Sequence, residues 1–305
     1  MNKSEISLVD AIRKLQVEEL LSTKSFKSSW PRINYYLQTH VGDFTREDFL
    51  SLGDHLSSAF TDKTADRSQG SVSSAGVVWE SLIAWYINSC LLGTNAVCLK
   101  AKKFMPQCVL DSLSVSHANS GRLSEPDLVL IALPASFDWK VGMLSKKNLL
   151  EEFAAACLKD FESLCVINIQ CKTNWNDNAQ IPMLWNMLYS QATKSSLTMD
   201  NFSIGTTRHS LVQISDFGYA FVTVPTNDKK KLKPNSSAVL RVSTMTAGNY
   251  WGHPSKNGVA SSIQDFFIKN SSRPSFPDIR SIGRCIAEQE GYLYFQKNVI
   301  PDSTY

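Results

Sequence analysis

The chain has 305 residues, of which 43% are hydrophobic and 19% charged, and its formal net charge is only +3. This composition is that of a globular protein, and it excludes a disordered or collagen-like chain. So small a net charge neither requires nor excludes a nucleic-acid partner, because a balanced total can hide a local basic stripe.

The sequence shows no clear signal peptide, membrane span or cysteine motif. The N-terminal stretch MNKSEISLVDAIRKLQ has no uninterrupted apolar run of the kind found in signal peptides. No stretch approaches the roughly 18 apolar residues of a membrane span. The seven cysteines form no CxxC pair, and most lie in apolar runs. We therefore expect reduced core cysteines, a cytoplasmic protein and no membrane partner.

The first part of the chain is predicted to be helical. Hydrophobic periodicity predicts three helices between residues 4 and 62, and one of them begins at Thr45 as N-cap. A polar loop over 61–76 separates them from a long helix over 77–92. That helix is apolar nearly all round, so we expect it to be central.

The rest of the chain alternates strands and helices. Strands are predicted at 96–100, 128–133, 165–172, 219–225 and 238–245. Helices are predicted at 146–164, 181–195, 260–270 and 277–290. This alternation predicts an α/β fold with a mixed central sheet flanked by helices. We expect a helical N-terminal region, 1–65, packed on a core domain, 66–305, in one compact unit.

Three charged residues lie at the ends of apolar segments or within one. Asp127 precedes the strand in EPDLVLIALP, and Lys172 ends the strand CVINIQCK. Glu80 lies among apolar neighbours of the long helix, where an unpaired carboxylate is costly. Carboxylates and a lysine at one sheet edge are typical of phosphodiester cleavage. The oxygens hold Mg²⁺, which activates a water, and the lysine stabilises the developing charge.

The segments VVWESLIAW, EPD and VINIQCK together resemble the PD-(D/E)XK nuclease superfamily, in an order similar to that of type II restriction endonucleases. The resemblance covers roughly residues 77–195. It implies a restriction-endonuclease-like fold, Mg²⁺ as cofactor and site-specific hydrolysis of double-stranded DNA in bacterial restriction-modification. It assigns Asp127, Glu80 and Gln170 to the metal, and Lys172 to the water or the transition state. Cutting both strands of a palindrome further implies a homodimer or higher homo-oligomer.

The family pattern is not met at every position. Gln170 stands where the family usually has an acid two residues before the lysine. Some branches carry Gln there, and its amide oxygen can still ligate a metal or its water. QCKTNWNDNAQ is similar in layout to the CCGG-cutting branch. However, Asn186 stands in the region where that branch supplies an acid, so CCGG is not predicted.

Several polar segments are candidates for contacts with DNA. Asn and Gln side chains pair with adenine and Asp accepts from cytosine, so TNWNDNAQ (173–180) is a candidate base reader, or else a turn capping the helix at 181. Its candidate contact residues are Asn174, Asn176, Asp177 and Asn178. The segment TMTAGNYWGHPSKNG offers Asn249 and Lys256 with stacking aromatics, or is an ordered loop with a packed Trp. The lysine runs NDKKKLKP, KAKKF and SKK either contact phosphates or are solvated.

Two other functions remain open. One is a repair or modification-dependent nuclease of the same superfamily. The other is a catalytically weak DNA-binding relative in which Gln170 marks lost activity. The five histidines show no zinc-ligand spacing, and the chain contains neither a P-loop nor a GxSxG motif.

Overall fold

The architecture follows from a computed structural model of the chain. It describes residues 6–40, 51–61, 72–100, 102–117, 126–173, 180–199, 202–224, 233–237, 239–240, 249–252 and 263–270.

The elements up to the end of the long helix are mainly helical. A short strand β1 (Ile6–Ser7) leads into α1 (Leu8–Ser22), and α2 (Lys24–Gln38) follows after one residue. A 3₁₀ turn (Leu52–Asp54) precedes α3 (Leu56–Thr61), and α4 spans Val72–Cys90.

The remaining elements alternate. The strands are β2 (Ala96–Leu99), β3 (Val115–His117), β4 (Leu128–Ala132), β5 (Lys140–Val141), β6 (Cys165–Lys172), β7 (Thr198–Met199), β8 (Phe202–Ile204), β9 (Asp216–Thr223) and β10 (Tyr250–Gly252). The helices are α5 (Gln107–Leu113), α6 (Lys146–Lys159), α7 (Gln180–Ala192) and α8 (Ile263–Asn270), with 3₁₀ turns at Lys102–Phe104, Phe161–Ser163 and Leu211–Gln213.

A mixed five-stranded sheet in the order β10-β9-β6-β4-β2 is the centre of the fold. Strands β2, β4 and β6 pair antiparallel, whereas β6, β9 and β10 pair parallel. Every residue of β4 is buried, because both faces of the sheet are covered. This explains why its sequence is a continuous apolar run and not an alternating one.

Helices cover the two faces of this sheet. Alternate residues of each strand belong to two separate clusters: Leu128 and Leu130 pack with α2, α4 and α8, whereas Val129 and Ile131 pack with α5, α6, α7 and the first half of α1. The fold is therefore a mixed α/β arrangement with the sheet between helical layers. Helices α1 and α2 contact α4, and α1 also contacts α6 and β2.

Helix α1 also covers the edge strand β2. The guanidinium of Arg13 is fully buried and donates to the carbonyl oxygens of Thr94 at 2.9 Å and Ala96 at 2.6 Å. It also pairs with Asp10 one turn earlier in the helix. The backbone at the start of the edge strand is thus capped from within the chain and is not left open to another strand.

Most predicted elements exist close to their predicted bounds. Strand 165–172 has its predicted bounds, and the strand predicted at 128–133 ends one residue earlier. The long helix begins at Val72, inside the predicted polar loop, while helix 146–164 stops at Lys159 before a 3₁₀ turn. Within the described part of the chain, no helix is long and apolar enough to cross a membrane.

The strand predicted at 238–245 is wrong where it can be compared. Val239 and Leu240 are helical, and the amide of Leu240 donates to the carbonyl oxygen of Ser236 at 2.9 Å. The β-branched residues suggested a strand, but the preceding Pro-Asn-Ser-Ser provides the residues that start a helical turn. Thr45 and the helix predicted at 277–290 lie outside the described residues.

Candidate functional site

The pairing of β4 with β6 brings Asp127 next to Gln170. Leu128 pairs with Ile169 in the antiparallel register, so Asp127 stands one position further, at the end of β6. The side-chain amide of Gln170 donates to Asp127 Oδ2, and the backbone amide of Cys171 donates to the same oxygen at 2.8 Å. These two donors fix the carboxylate at the sheet end.

Lys172 completes this group from the last position of β6. It lies on the same face as Gln170, because side chains two residues apart in a strand point the same way. Its Nζ is 3.9 Å from Asp127 Oδ2, and its side chain is 35% exposed, against 21% for that of Asp127. The ammonium is therefore paired loosely and remains open to solvent.

The environment of Asp127 makes its carboxyl group a weaker acid than usual. Burial raises its pKa from the ordinary 3.8 to about 6, and the nearby charge of Glu80 acts in the same direction. The ammonium of Lys172 and the two hydrogen-bond donors lower the pKa and so limit the shift. Asp127 is consequently ionised at neutral pH, but it gains a proton in mildly acidic solution.

Glu80 belongs to a second pair on the other face of the sheet. Its Oε2 is 3.1 Å from the Nζ of Lys100, which directly follows β2. The same Nζ donates to the carbonyl oxygen of Val77 and to the hydroxyl of Ser81, each at 3.0 Å. Helix α4 packs on the face that carries Ile169 and Cys171, whereas Gln170 alternates to the opposite face.

The structure thus brings together three of the four predicted catalytic residues. Asp127, Gln170 and Lys172 form one contact group, while Glu80 is near enough to influence Asp127 but contacts Lys100. Among the described residues, no three His, Cys, Asp or Glu side chains converge as a metal site.

The donors that are present nevertheless suit Mg²⁺. This ion is commonly held by one or two carboxylates, with waters and substrate phosphates filling the other positions. Asp127 supplies a carboxylate, and a half-turn of the Gln170 amide exchanges its nitrogen for an oxygen ligand.

Most of the residues predicted to contact DNA lie outside the part of the chain that the structure describes. Asn174, Asn176, Asp177, Asn178 and Lys256 are outside the described residues. Asn249 stands immediately before β10, and its carbonyl oxygen accepts from the amide of Phe221 at 2.9 Å.

The aromatic residues that follow Asn249 do not have the stacking role suggested for them. Tyr250 and Trp251 are buried, and the ring of Trp251 packs against Tyr86 and Phe266. The prediction that they stack on bases is therefore wrong, because core packing uses their surface. The alternative of a packed Trp describes this position correctly.

Two residues near the site were not singled out from the sequence. Lys100 was considered only as part of a lysine run, although a lysine directly after a buried strand could have been noticed. Thr223 pairs with Lys172 in the parallel register of β9, and its buried hydroxyl has no hydrogen-bond partner among the described residues. No sequence signal indicates which strand lies beside β6.

No protein-family model matches this chain, and no curated protein sequence matches it.

Proposed function

We propose that this protein is a Mg²⁺-dependent endonuclease that hydrolyses double-stranded DNA at specific sites, as a type II restriction enzyme with a PD-(D/E)XK-like fold. One observation carries the proposal. The carboxylate of Asp127 is paired with the amide of Gln170 and the ammonium of Lys172 at one end of a mixed sheet. Their chain order, after the helix that carries Glu80, is the order that the family resemblance requires.

The chemistry of phosphodiesters explains why these groups suit one another. A phosphodiester is anionic and repels an attacking hydroxide, so cleavage needs positive charge at the phosphate. The ammonium of Lys172 can supply it, because its contact with Asp127 is long and about a third of its side chain is exposed. An approaching phosphate can therefore bind Lys172 without the rupture of a tight buried pair.

The metal would be held by Asp127 and the amide oxygen of Gln170, with Glu80 as a further carboxylate. When bound, it supplies a Lewis acid that polarises the phosphate and lowers the pKa of a water. Asp127 must be ionised for this role, which holds above its pKa of about 6. The backbone amide of Cys171 keeps the carboxylate oriented in the meantime.

Cleavage of both DNA strands has a consequence for the oligomeric state of the protein. Two strands of opposite polarity need two copies of the site, and a two-fold dimer presents the two copies symmetrically to a palindrome. We therefore propose a homodimer or higher homo-oligomer as the active form.

A DNA-binding relative with little activity is the second candidate, and one observation favours it. Asp127 Oδ2 already accepts from Gln170 and Cys171 and lies 3.9 Å from Lys172, so protein donors fill the position that a metal would take. In such a protein Gln170 would serve as a structural partner of Asp127 and not as a ligand.

Digestion of long, unmethylated DNA with Mg²⁺ separates these candidates. The parallel samples contain EDTA, the Lys172→Ala variant, or the Lys159→Ala variant as a matched control at an exposed lysine on α6. We expect discrete fragments with the parent protein and Lys159→Ala, and none with EDTA or Lys172→Ala. DNA that is bound but stays intact with both Mg²⁺ and Mn²⁺ would support the binding-only relative. Cleavage of methylated DNA alone would instead indicate a modification-dependent nuclease.

A further inference from the structure

Two lysine segments that are far apart in the sequence meet on the surface of the folded chain. Lys103 belongs to the 3₁₀ turn after β2, and Lys146 is the first residue of α6. Both ammonium groups contact the carboxylate of Glu19 on α1: Lys103 pairs with Oε1, and Lys146 Nζ lies 3.1 Å from Oε2. We refer to Lys103, Lys146, Glu19 and Phe104 as the lysine cluster.

An aromatic ring supports the two ammonium groups. The Nζ atoms of Lys103 and Lys146 lie 5.3 Å and 5.0 Å from the centre of the buried Phe104 ring, within cation–π range. Their side chains are nevertheless 55% and 48% exposed. The charges are thus held in position and still face solvent, so less side-chain entropy is lost when they bind a ligand.

The lysine cluster lies at the same end of the sheet as Asp127. Strand β2 ends opposite the start of β4, since Leu99 pairs with Val129, and Asp127 lies two residues before Val129. The turn that carries Lys103 begins only two residues after Lys100, the partner of Glu80. Lys103 of this turn pairs with Glu19 on α1, and Glu19 also pairs with Lys146 at the start of α6. The last turns of α1 and the start of α6 therefore lie at this end of the sheet as well.

We propose that the lysine cluster binds the sugar-phosphate backbone of duplex DNA beside the bond that is cut. This inference rests on the proposed function, and it adds where the duplex lies relative to the site. The lysine cluster itself carries a net positive charge, because Lys103 and Lys146 share one carboxylate, that of Glu19. Neighbouring phosphates of a strand can pair with these two positioned ammonium groups, and such contacts carry no base specificity.

A substitution of Glu19 distinguishes phosphate binding by the lysine cluster from a purely structural role. As a salt-bridge centre it would stabilise the fold by joining α1 to α6 and to the turn after β2. As the only acid in contact with both lysines among the described residues, it would also weaken their attraction for phosphates. Glu19→Gln should therefore lower the melting temperature but tighten DNA binding by roughly fivefold at low salt. A purely structural cluster predicts no gain in binding.

The test measures binding of a short fluorescein-labelled DNA duplex by anisotropy, in EDTA, over a series of NaCl concentrations. Each phosphate contact contributes about 0.9 to the slope of log affinity against log salt. We expect Lys103→Ala/Lys146→Ala to lose roughly two units of slope, and each single variant about one. Lys159→Ala/Lys269→Ala removes the same charge at the opposite end of the sheet and should keep the parent slope.

The outcomes distinguish the two proposals. Parent-like affinity and slope in Lys103→Ala/Lys146→Ala would overturn the lysine-cluster proposal and leave the nuclease proposal standing. Absence of duplex binding by the parent protein would overturn both. Melting temperatures accompany every variant, and the single variants replace the double variant if it does not fold. A loss of slope confined to the lysine-cluster variants, with tighter binding by Glu19→Gln, would support the proposal.

Discussion

Two carboxylate–lysine pairs stand at the same end of the central sheet, on opposite faces, and they are built differently. In the pair of Asp127 and Lys172, the charged atoms are 3.9 Å apart and the lysine is 35% exposed. In the pair of Glu80 and Lys100, they are 3.1 Å apart and the lysine is 18% exposed. Burial raises the pKa of Asp127 to about 6, so this carboxylate sits in an unfavourable setting for its charge.

The difference lies in how completely each ammonium is bonded. Lys100 has three partners, Glu80, Ser81 and the carbonyl oxygen of Val77, which match the three N–H groups of a lysine. Among the described residues, the ammonium of Lys172 has one distant carboxylate as partner, and its side chain is 35% exposed, so it can take another partner. A saturated pair holds structure in place, whereas an unsaturated pair at a strand end is available for chemistry. Substitutions in each pair can test this distinction.

The largest expected effect is the loss of cleavage in Lys172→Ala. Removal of a positive group from the developing charge of the transition state typically costs about 10³-fold in rate. Its melting temperature should change little, because the contact with Asp127 is long. Single-turnover cleavage and thermal melts of the same preparations check this. A variant that cleaves at the parent rate would remove Lys172 from the site.

The next largest effect is a loss of stability in Lys100→Met. This change leaves the carboxylate of Glu80 without its ammonium at a mostly buried position. We expect the free energy of unfolding to fall by about 2–3 kcal/mol, less than for a fully buried pair because both side chains keep some solvent contact.

A double-mutant cycle checks the Lys100 prediction. Lys100→Met/Glu80→Gln should recover most of the loss, because the stranded charge is then gone. Urea denaturation of the single and double variants measures the coupling. Equal loss in the single and the double variant would show that packing of the lysine stem matters, and not the ion pair.

A stability gain is expected for Asp127→Asn at neutral pH. The folded state holds a proton on Asp127 up to a pKa of about 6, whereas the ordinary value is 3.8. The folded state therefore binds more protons in this window, and stability falls as pH rises from about 4 to 6. At pH 7.5 in EDTA, replacement of the charge should raise the free energy of unfolding by on the order of 2 kcal/mol.

The pH dependence provides the control for the Asp127 prediction. Below about pH 3, Asp127 is mostly protonated in both states, so the variant and the parent should melt alike. The asparagine oxygen can still accept from the amide of Cys171, which keeps the local hydrogen bond. Destabilisation of Asp127→Asn at pH 7.5 but not at low pH would mean that the carboxylate charge is a net stabilising group.

The sequence predicted which segments of this site are strands, but not which residues lie beside them in the folded chain. The apolar run before Gln170 and Lys172 defined β6, and the Pro-Asp step marked the start of β4. Strand β4 is buried on both faces, so it is a continuous apolar run that contains no information about which side chain lies on which face. The separation of Glu80 from Asp127 across the sheet could not be predicted for this reason.

Other features depended on tertiary contacts that a single sequence does not contain. The segment around Trp251 allowed either stacking on bases or a packed Trp, and the structure shows that its ring packs on Tyr86 and Phe266. Val239 lies in an apolar, β-branched run but is helical. Thr223 lies beside Lys172 only because β9 pairs parallel with β6. In each case the neighbour that decides the outcome is distant in the chain.

The smallest effect, and the one that examines the metal most directly, is expected for Gln170→Glu. A second carboxylate beside Asp127 removes a hydrogen-bond donor and adds like-charge repulsion, which raises the pKa of Asp127 further. At pH 8 in EDTA we expect a loss of about 1 kcal/mol of stability.

Mg²⁺ should reverse that loss, because an ion that binds only the folded state stabilises it by mass action. Another glutamine–aspartate contact provides the matched control: Gln107 donates to Asp111 at 2.6 Å on the exposed surface of α5. Gln107→Glu should melt at the same temperature with Mg²⁺ or EDTA. If Mg²⁺ also leaves the melting temperature of Gln170→Glu unchanged, the groups around Asp127 do not bind the metal. The long distance between Asp127 and Lys172 then has a cause other than metal-dependent cleavage.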